Sequence, residues 1–306
     1  MLAIVFPGQG SQSVGMMNGF TEPAIEATFA QAKAITGIDY ASMAKDGPAE
    51  VQNQTVNTQP LMLVAGVATW RAWQAKGGAM PGYFAGHSLG EYSALVAAGA
   101  LSFEDALPLV RLRAQAMQEA VPEGTGGIAA ILGLDDAKLP QVLAAAAQGE
   151  VVEPANLNSP GQVVIAGHRA AVERAMALAK EAGAKRAVML PMSAPSHCSL
   201  MRPAAERLRE RLALTDVKKP AVPVIHNRFV EAFDDPAKIR QALVEQLDHP
   251  VRWIETVEFL ARNGVTRIVE CGPGKILTGL SKRIASGVEC IAIQDSAALA
   301  AHSQQG

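Results

Sequence analysis

The sequence has 306 residues, three cysteines, no marked excess of either charge and no long apolar run. Three scattered cysteines are too few for a disulfide framework or a zinc ribbon, so a reducing cytoplasm is the simplest expected location. With 27 basic against 29 acidic residues, no general attraction for nucleic acid or anionic lipid is expected. Because no stretch of about 18 apolar residues occurs and no secretion signal opens the chain, no membrane span or export is expected.

What the sequence does contain is typical of a globular α/β protein. Hydrophobic residues make up 49% of the chain and charged residues 18%. Apolar strand-like runs alternate with helical patterns, which predicts a mostly parallel sheet covered on both faces. Residues 123–191 instead follow the order βαββαβ, which predicts an inserted ferredoxin-like subdomain. The predicted large domain then comprises residues 1–122 and 192–306, and its last ten residues are expected to fray.

The segment Gly86-His87-Ser88-Leu89-Gly90 follows a strand-like run and precedes a helical one. It fits the G-x-S-x-G pattern of a nucleophile elbow, in which small flanking residues permit a sharp turn. The turn exposes the Ser88 hydroxyl at a helix N-terminus, where backbone N–H groups can stabilise an oxyanion. The alternative is a glycine-rich turn with a capping serine.

A serine nucleophile needs a base, and the chain has six histidines. His197 is favoured because it lies in a proline-containing loop where the chain returns from the predicted insert. His226 and His249 border other loops and remain alternatives. No acid between residues 88 and 197 occupies an obvious strand-end loop, which argues against an ordinary esterase triad and leaves open a histidine oriented by a neutral group.

Arg113 interrupts the apolar stripe of a predicted helix, with Met117 one turn further along. A guanidinium is costly to bury unless it is paired. A structural carboxylate is the partner that the residues alone favour. A substrate carboxylate held by parallel hydrogen bonds is the second interpretation.

Eight segments, in order along nearly the whole chain, give the sequence a close resemblance to the malonyl-CoA:acyl carrier protein transacylase family of bacterial type II fatty acid synthesis. The segments are FPGQGSQ, TQP, GHSLGEYSAL, LRAQAMQEAVP, NLNSPGQVVIAG, PSHCSLM, QLDHPVRW and ECGPGKILTGL. The resemblance implies a hydrolase-like large domain with a ferredoxin-like insert, in agreement with the pattern above.

The resemblance also implies the catalytic residues. Ser88 would carry the acyl group and His197 would be its base. The backbone carbonyl of Gln246 would orient His197 in place of an acid. The oxyanion hole would combine the backbone N–H groups of Gln9 and Leu89.

Substrate contacts follow from the same resemblance. Arg113 would hold the free carboxylate of malonate, with Met117 and Asn156 in the substrate-binding site. The expected partners are malonyl-CoA and acyl carrier protein, without a cofactor, nucleic acid or membrane, and the chain is expected to be a monomer. Because carrier proteins are acidic, Lys185 and Arg186 are candidate carrier-binding residues.

Three other functions remain open from the sequence. A serine esterase or thioesterase would share the elbow but use water as the acceptor. A non-catalytic acyl-binding or scaffold protein would form no acyl-serine. A transacylase of polyketide synthesis, with another extender unit, would differ only in its substrates.

Overall fold

The computed structural model describes residues 1–191 and 194–304 as two sheets with helices packed against them. The nine strands described are Leu2–Phe6 (β1), Tyr83–Gly86 (β2), Gly126–Leu132 (β3), Val152–Ser159 (β4), Gln162–His168 (β5), Arg186–Met189 (β6), Val224–Ile225 (β7), Arg267–Cys271 (β8) and Glu289–Ile293 (β9).

Thirteen α-helices and two short 3₁₀ turns are described in the same part of the chain. The first seven helices are Pro23–Thr36 (α1), Tyr40–Asp46 (α2), Ala49–Gln52 (α3), Thr55–Ala75 (α4), Gly90–Ala97 (α5), Phe103–Glu119 (α6) and Leu139–Ala147 (α7). The others are Arg169–Glu181 (α8), Arg202–Ala213 (α9), Pro236–Glu245 (α10), Trp253–Arg262 (α11), Ile276–Ile284 (α12) and Ser296–Ser303 (α13), and the 3₁₀ turns are Asp136–Lys138 and Ser199–Met201.

The larger sheet is parallel throughout, with the strand order β7-β2-β1-β8-β9. Side chains alternate across it: Ile4 and Phe6 pack in the core under α1, α4, α6 and α9, whereas Ala3 and Val5 pack against α11 and α12. Burial on both faces explains the continuous apolar run of β1 in the sequence.

The smaller sheet is antiparallel, with the order β4-β5-β3-β6, and α7 and α8 cover one face. The chain order βαββαβ and this strand order are those of a ferredoxin-like unit, so the predicted fold class is confirmed. The exact division into 1–122 plus 192–306 and 123–191 stays a prediction, and its boundary at residue 192 lies outside the described residues.

Local sequence signals explain most of the ends of helices and strands, but the structure differs from the sequence predictions at two places. The Ser102 side chain accepts a hydrogen bond from the Asp105 backbone and caps α6, as the sequence indicates. The expected fraying of the last ten residues is wrong for residues 297–303, because α13 is anchored by the fully buried Leu299. The segment TQPLMLVAGVATWRAW predicts a helix over 58–73 with Pro60 in its first turn, but α4 begins at Thr55, which puts Pro60 in its second turn.

The parallel arrangement gathers several loops at one edge of the larger sheet. The loops after β1, β2, β7 and β8 all leave from the carboxyl ends of neighbouring strands. Open α/β sheets bind their ligands at this edge. The elbow serine follows β2 and therefore lies there.

Candidate active site

The turn between β2 and α5 has the geometry of a nucleophile elbow. Ser88 has φ 51°, a left-handed conformation that is rare for residues other than glycine. A Cβ atom at Gly86 would lie 1.9 Å from the Gly90 carbonyl carbon, and one at Gly90 would lie 2.0 Å from the Phe6 oxygen. Glycine is therefore required at both flanking positions by close backbone approach.

His197 is the histidine that contacts the serine. Its Nε2 lies 2.7 Å from Ser88 Oγ, and its Nδ1 lies 2.7 Å from the backbone oxygen of Gln246. Because a carbonyl can only accept, Nδ1 carries the proton and Nε2 is free to accept the serine proton. The orienting group is thus a neutral carbonyl.

The two alternative histidines lie elsewhere and have other partners. His226 Nδ1 is 2.7 Å from Glu91 Oε1, and His249 Nδ1 is 2.9 Å from the backbone oxygen of Glu245. His87, beside the nucleophile, points away from it and contacts Asn158 at 2.8 Å.

The environment of His197 keeps its imidazole neutral. Burial, followed by the nearby positive charge of Arg113, lowers the pKa of His197 to about 3. The neutral form is the one that can accept a proton from Ser88.

Arg113 enters the same site from α6 and is only 1% exposed. Its Nη2 donates to Ser88 Oγ at 3.1 Å and to Gln246 Oε1 at 2.9 Å, and its Nη1 donates to Gln59 Oε1. Its Nε has no partner among the described residues. The structural carboxylate that the residues alone favoured is not found in residues 1–191 and 194–304, because amide and hydroxyl oxygens occupy that role. Glu91 and Tyr92 lie close enough to raise the pKa of Arg113 against the stronger effect of burial, but no carboxylate of the described residues bonds to the guanidinium, which is directed at the nucleophile.

Gln9 and Leu89 line the same cavity as Ser88, and each has a backbone N–H group. Neither has a hydrogen-bond acceptor within the described part of the chain. The loop after β1 lies directly against the elbow, since a Cβ atom at Gly8 would meet the His87 oxygen at 2.4 Å. These two donors are thus free to bind a negatively charged oxygen.

The site lies in a cleft of about 390 Å³ between the two sheets. Met117 and Asn156 both line it, and the Asn156 side-chain oxygen is buried without a partner in the described residues. Lys185 and Arg186 do not line it; they are exposed at the start of the edge strand β6, whose other end leads to the cleft residue Leu190.

Asn227, which the sequence interpretation missed, fixes the elbow from the neighbouring strand. Its Oδ1 accepts from the Ser88 backbone N–H at 2.7 Å, and its Nδ2 donates to the Gly86 oxygen at 2.6 Å. It follows β7, the strand beside β2, so a polar residue at a strand end was the available signal. Glu91 and Gln59 were also missed, although both lie within the segments GHSLGEYSAL and TQP.

The described residues contain neither a metal-binding group nor a membrane-spanning helix. In residues 1–191 and 194–304, no group of three His, Cys, Asp or Glu side chains is placed to hold a metal ion. None of the helices there has the length and apolar character needed to cross a membrane.

Comparison with known proteins agrees with this site. Residues 3–296 match the family model described as acyl transferase domain, which makes the chain an acyltransferase. It is 56% identical over 301 residues to a malonyl CoA-acyl carrier protein transacylase of Salmonella typhimurium, covering 98% of this chain and 97% of that one. The chain therefore belongs to the malonyl-CoA:acyl carrier protein transacylase family.

Solved structures give the same result. An acyl carrier protein S-malonyltransferase from Vibrio cholerae has a TM-score of 0.96 and 54% identity, with 98% of this chain and 99% of that chain covered. A malonyl-transacylase in complex with its type II PKS acyl-carrier protein has a TM-score of 0.98 and 50% identity, with 100% and 99% covered.

Proposed function

We propose that the chain transfers a malonyl group from malonyl-CoA to the phosphopantetheine thiol of acyl carrier protein and so supplies fatty acid elongation. The observation that carries the proposal is the meeting of Ser88 Oγ with both His197 Nε2 and the Arg113 guanidinium in one cleft. The first contact supplies a nucleophile and the second a binding group for an acyl chain that ends in a carboxylate.

In the first half-reaction, His197 Nε2 accepts the Ser88 proton while Oγ attacks the thioester carbon. The carbonyl oxygen becomes negative, and the N–H groups of Gln9 and Leu89 stabilise it. The C–S bond then breaks, the proton on His197 passes to the sulfur, and coenzyme A leaves as a thiol. Ser88 keeps the malonyl group as an ester.

In the second half-reaction, the phosphopantetheine thiol of the carrier occupies the place that coenzyme A has left. His197 accepts the thiol proton, the sulfur attacks the Ser88 ester, and the serine oxygen recovers the proton. The cycle is ping-pong and uses only side chains and backbone groups of the protein. In this proposal the protein needs no cofactor, binds neither nucleic acid nor membrane, and acts as a monomer.

The neutral support of His197 suits an acyl-enzyme that must survive until a thiol arrives. A carboxylate behind an imidazole stabilises its protonated form and raises its basicity. Gln246 supplies a carbonyl there instead. A less basic His197 activates water less readily, which favours transfer over hydrolysis.

Intact-protein mass after incubation with malonyl-CoA tests the function. We expect one malonyl group on the wild-type protein, none on Ser88→Ala, and loss of the adduct when holo carrier protein is added. Loss of the adduct at the same rate in buffer alone would indicate a thioesterase. No adduct at all would indicate a binding protein.

A carrier of polyketide synthesis is a second acceptor, favoured by the 50% identity to the malonyl-transacylase solved with such a carrier. Comparing the rate of adduct loss with fatty acid and polyketide carriers would rank the two. Methylmalonyl-CoA in the first step would test the extender unit.

Charge reversal at Lys185 and Arg186 tests the proposed carrier contact. Both side chains are exposed near the subdomain edge and can attract an acidic carrier. We expect Lys185→Glu with Arg186→Glu to raise the KM for carrier protein several-fold and leave that for malonyl-CoA unchanged. The control is the double variant Lys218→Glu with Lys219→Glu, which reverses an exposed basic pair outside the cleft. Equal carrier KM values for the two double variants would remove Lys185 and Arg186 from the docking surface.

A further inference from the structure

Glu91 is a fully buried acid in the first turn of α5 for which the reaction above has no use. Its Oε2 accepts from the Asn227 backbone N–H at 2.9 Å and from Gln246 Nε2 at 2.8 Å. Its Oε1 lies 2.7 Å from His226 Nδ1. A carboxyl group buried this completely needs such donors around it, and one of them, the Gln246 amide, belongs to the site.

The side chain of Gln246 connects Glu91 to the acyl-binding guanidinium. Its Nε2 donates to Glu91 and, at 3.0 Å, to the backbone oxygen of Ser88. Its Oε1 accepts from Arg113 Nη2 at 2.9 Å. A carboxylate and a carbonyl can only accept, so the amide nitrogen must face them and the amide oxygen must face Arg113.

We infer that Glu91 is a positioning residue that sets the preference for carboxylate-bearing acyl groups by fixing the Gln246 amide, which in turn holds Arg113. This inference rests on the proposed function, because it concerns how the same site distinguishes malonyl from acetyl donors. The backbone carbonyl of Gln246 orients His197 separately, so acyl preference and base orientation depend on different atoms of one residue.

Without an acceptor at position 91, the Gln246 amide loses a bond that fixes its orientation. A rotated amide would point its NH₂ group at Arg113, placing donor against donor and displacing a guanidinium that is only 1% exposed. Malonyl donors need the guanidinium in place, whereas acetyl donors carry no group for it. The ratio of the two kcat/KM values therefore reports on this path.

The experiment measures kcat/KM for malonyl-CoA and acetyl-CoA in Glu91→Met and Glu91→Gln. We expect Glu91→Met to lower the malonyl-to-acetyl ratio about tenfold or more. In Glu91→Gln the amide oxygen replaces Oε2 as acceptor, and the new NH₂ group faces His226 Nδ1, which can accept a hydrogen bond in its other tautomer. That variant is expected to keep the ratio within about threefold, since an acceptor for Gln246 remains.

A matched control is Glu22→Met, which removes another nearly buried acid, one that accepts from Ser296 outside the site. It is expected to leave the ratio unchanged. If Glu91 had a purely structural role, such as stabilising the start of α5 or holding Asn227, Glu91→Met would lower kcat/KM for malonyl-CoA and acetyl-CoA equally. That result would overturn the inference. An unchanged ratio in Glu91→Met would overturn it too.

Gln246→Leu provides the second route if Glu91→Met does not fold. It removes the amide but keeps the carbonyl that orients His197, so a similar fall in the ratio is expected, and an unchanged ratio contradicts the inference. In the double variant Glu91→Met with Gln246→Leu, the two effects on the ratio should not add, because Glu91 acts through Gln246. Additive effects would argue against that path. A wild-type protein that forms no malonyl adduct would contradict the proposed function itself, and the inference with it.

Discussion

Arg113→Ala is expected to lower kcat/KM for malonyl-CoA about tenfold to 100-fold more than kcat/KM for acetyl-CoA, the difference being about 1–3 kcal/mol. The guanidinium is almost fully buried, and its partners are neutral oxygens of Gln59, Gln246 and Ser88. A malonyl carboxylate would supply the charge that these partners lack, in a medium where such a bond is strong. An acetyl group leaves that charge unmatched, so kcat/KM for acetyl-CoA should fall little when the arginine is removed.

Arg111→Ala is the matched control for this variant, because Arg111 belongs to the same helix but is exposed. It is expected to leave kcat/KM for malonyl-CoA and for acetyl-CoA unchanged. Removing Arg113 also removes a contact to Ser88 Oγ, so a modest loss with acetyl-CoA is expected as well. An equal fall in kcat/KM for both donors would indicate that Arg113 only holds Ser88 and does not bind the malonyl carboxylate.

Local patterns made the elbow predictable from the sequence. Gly86, Ser88 and Gly90 lie within five residues, and the contact that requires glycine at 86 is with Gly90 itself, although the contact that requires glycine at 90 is with Phe6 of β1. The βαββαβ insert was predictable for the same reason, because each strand and helix has its own apolar period. The loop position favoured His197 and the apolar stripe singled out Arg113, but only the resemblance added Gln246 and implied that all three act beside Ser88.

The supports of the site were not predictable in this way. Glu91 and Asn227 are 136 positions apart and meet only because β7 lies beside β2. The carboxylate partner favoured for Arg113 was wrong because two glutamines, one on α4 and one after α10, reach the guanidinium instead. Pairing rules for charges predict a salt bridge for a buried arginine, and a departure from that rule is expected where the arginine is to bind an anionic acyl group, as proposed here.

His197→Ala is expected to lower the rate constant for acylation of Ser88 by about 10²- to 10⁴-fold, the usual contribution of a positioned base. Single-turnover formation of the malonyl-serine, followed by intact mass, measures this step apart from the carrier. Asn227 still holds the elbow in this variant and Arg113 is unchanged, so malonyl-CoA binding is expected to persist. His168→Ala is the control, because His168 is a partly buried histidine that accepts from the Val151 backbone N–H in the smaller sheet, outside the cleft. An acylation rate unchanged in His197→Ala would assign the base to another group.

The pH dependence of the same step follows from the environment of His197. Burial and the charge of Arg113 lower the pKa of His197 to about 3, so the imidazole is neutral and ready to accept a proton at every pH above that value. Wild-type acylation should therefore be flat between about pH 5 and pH 8, without the inflection near 6.5 that an ordinary histidine gives. A rate that rises through pH 6.5 would show that His197 is protonated below that pH in the complex with malonyl-CoA, which would require water or an anion to reach the imidazole.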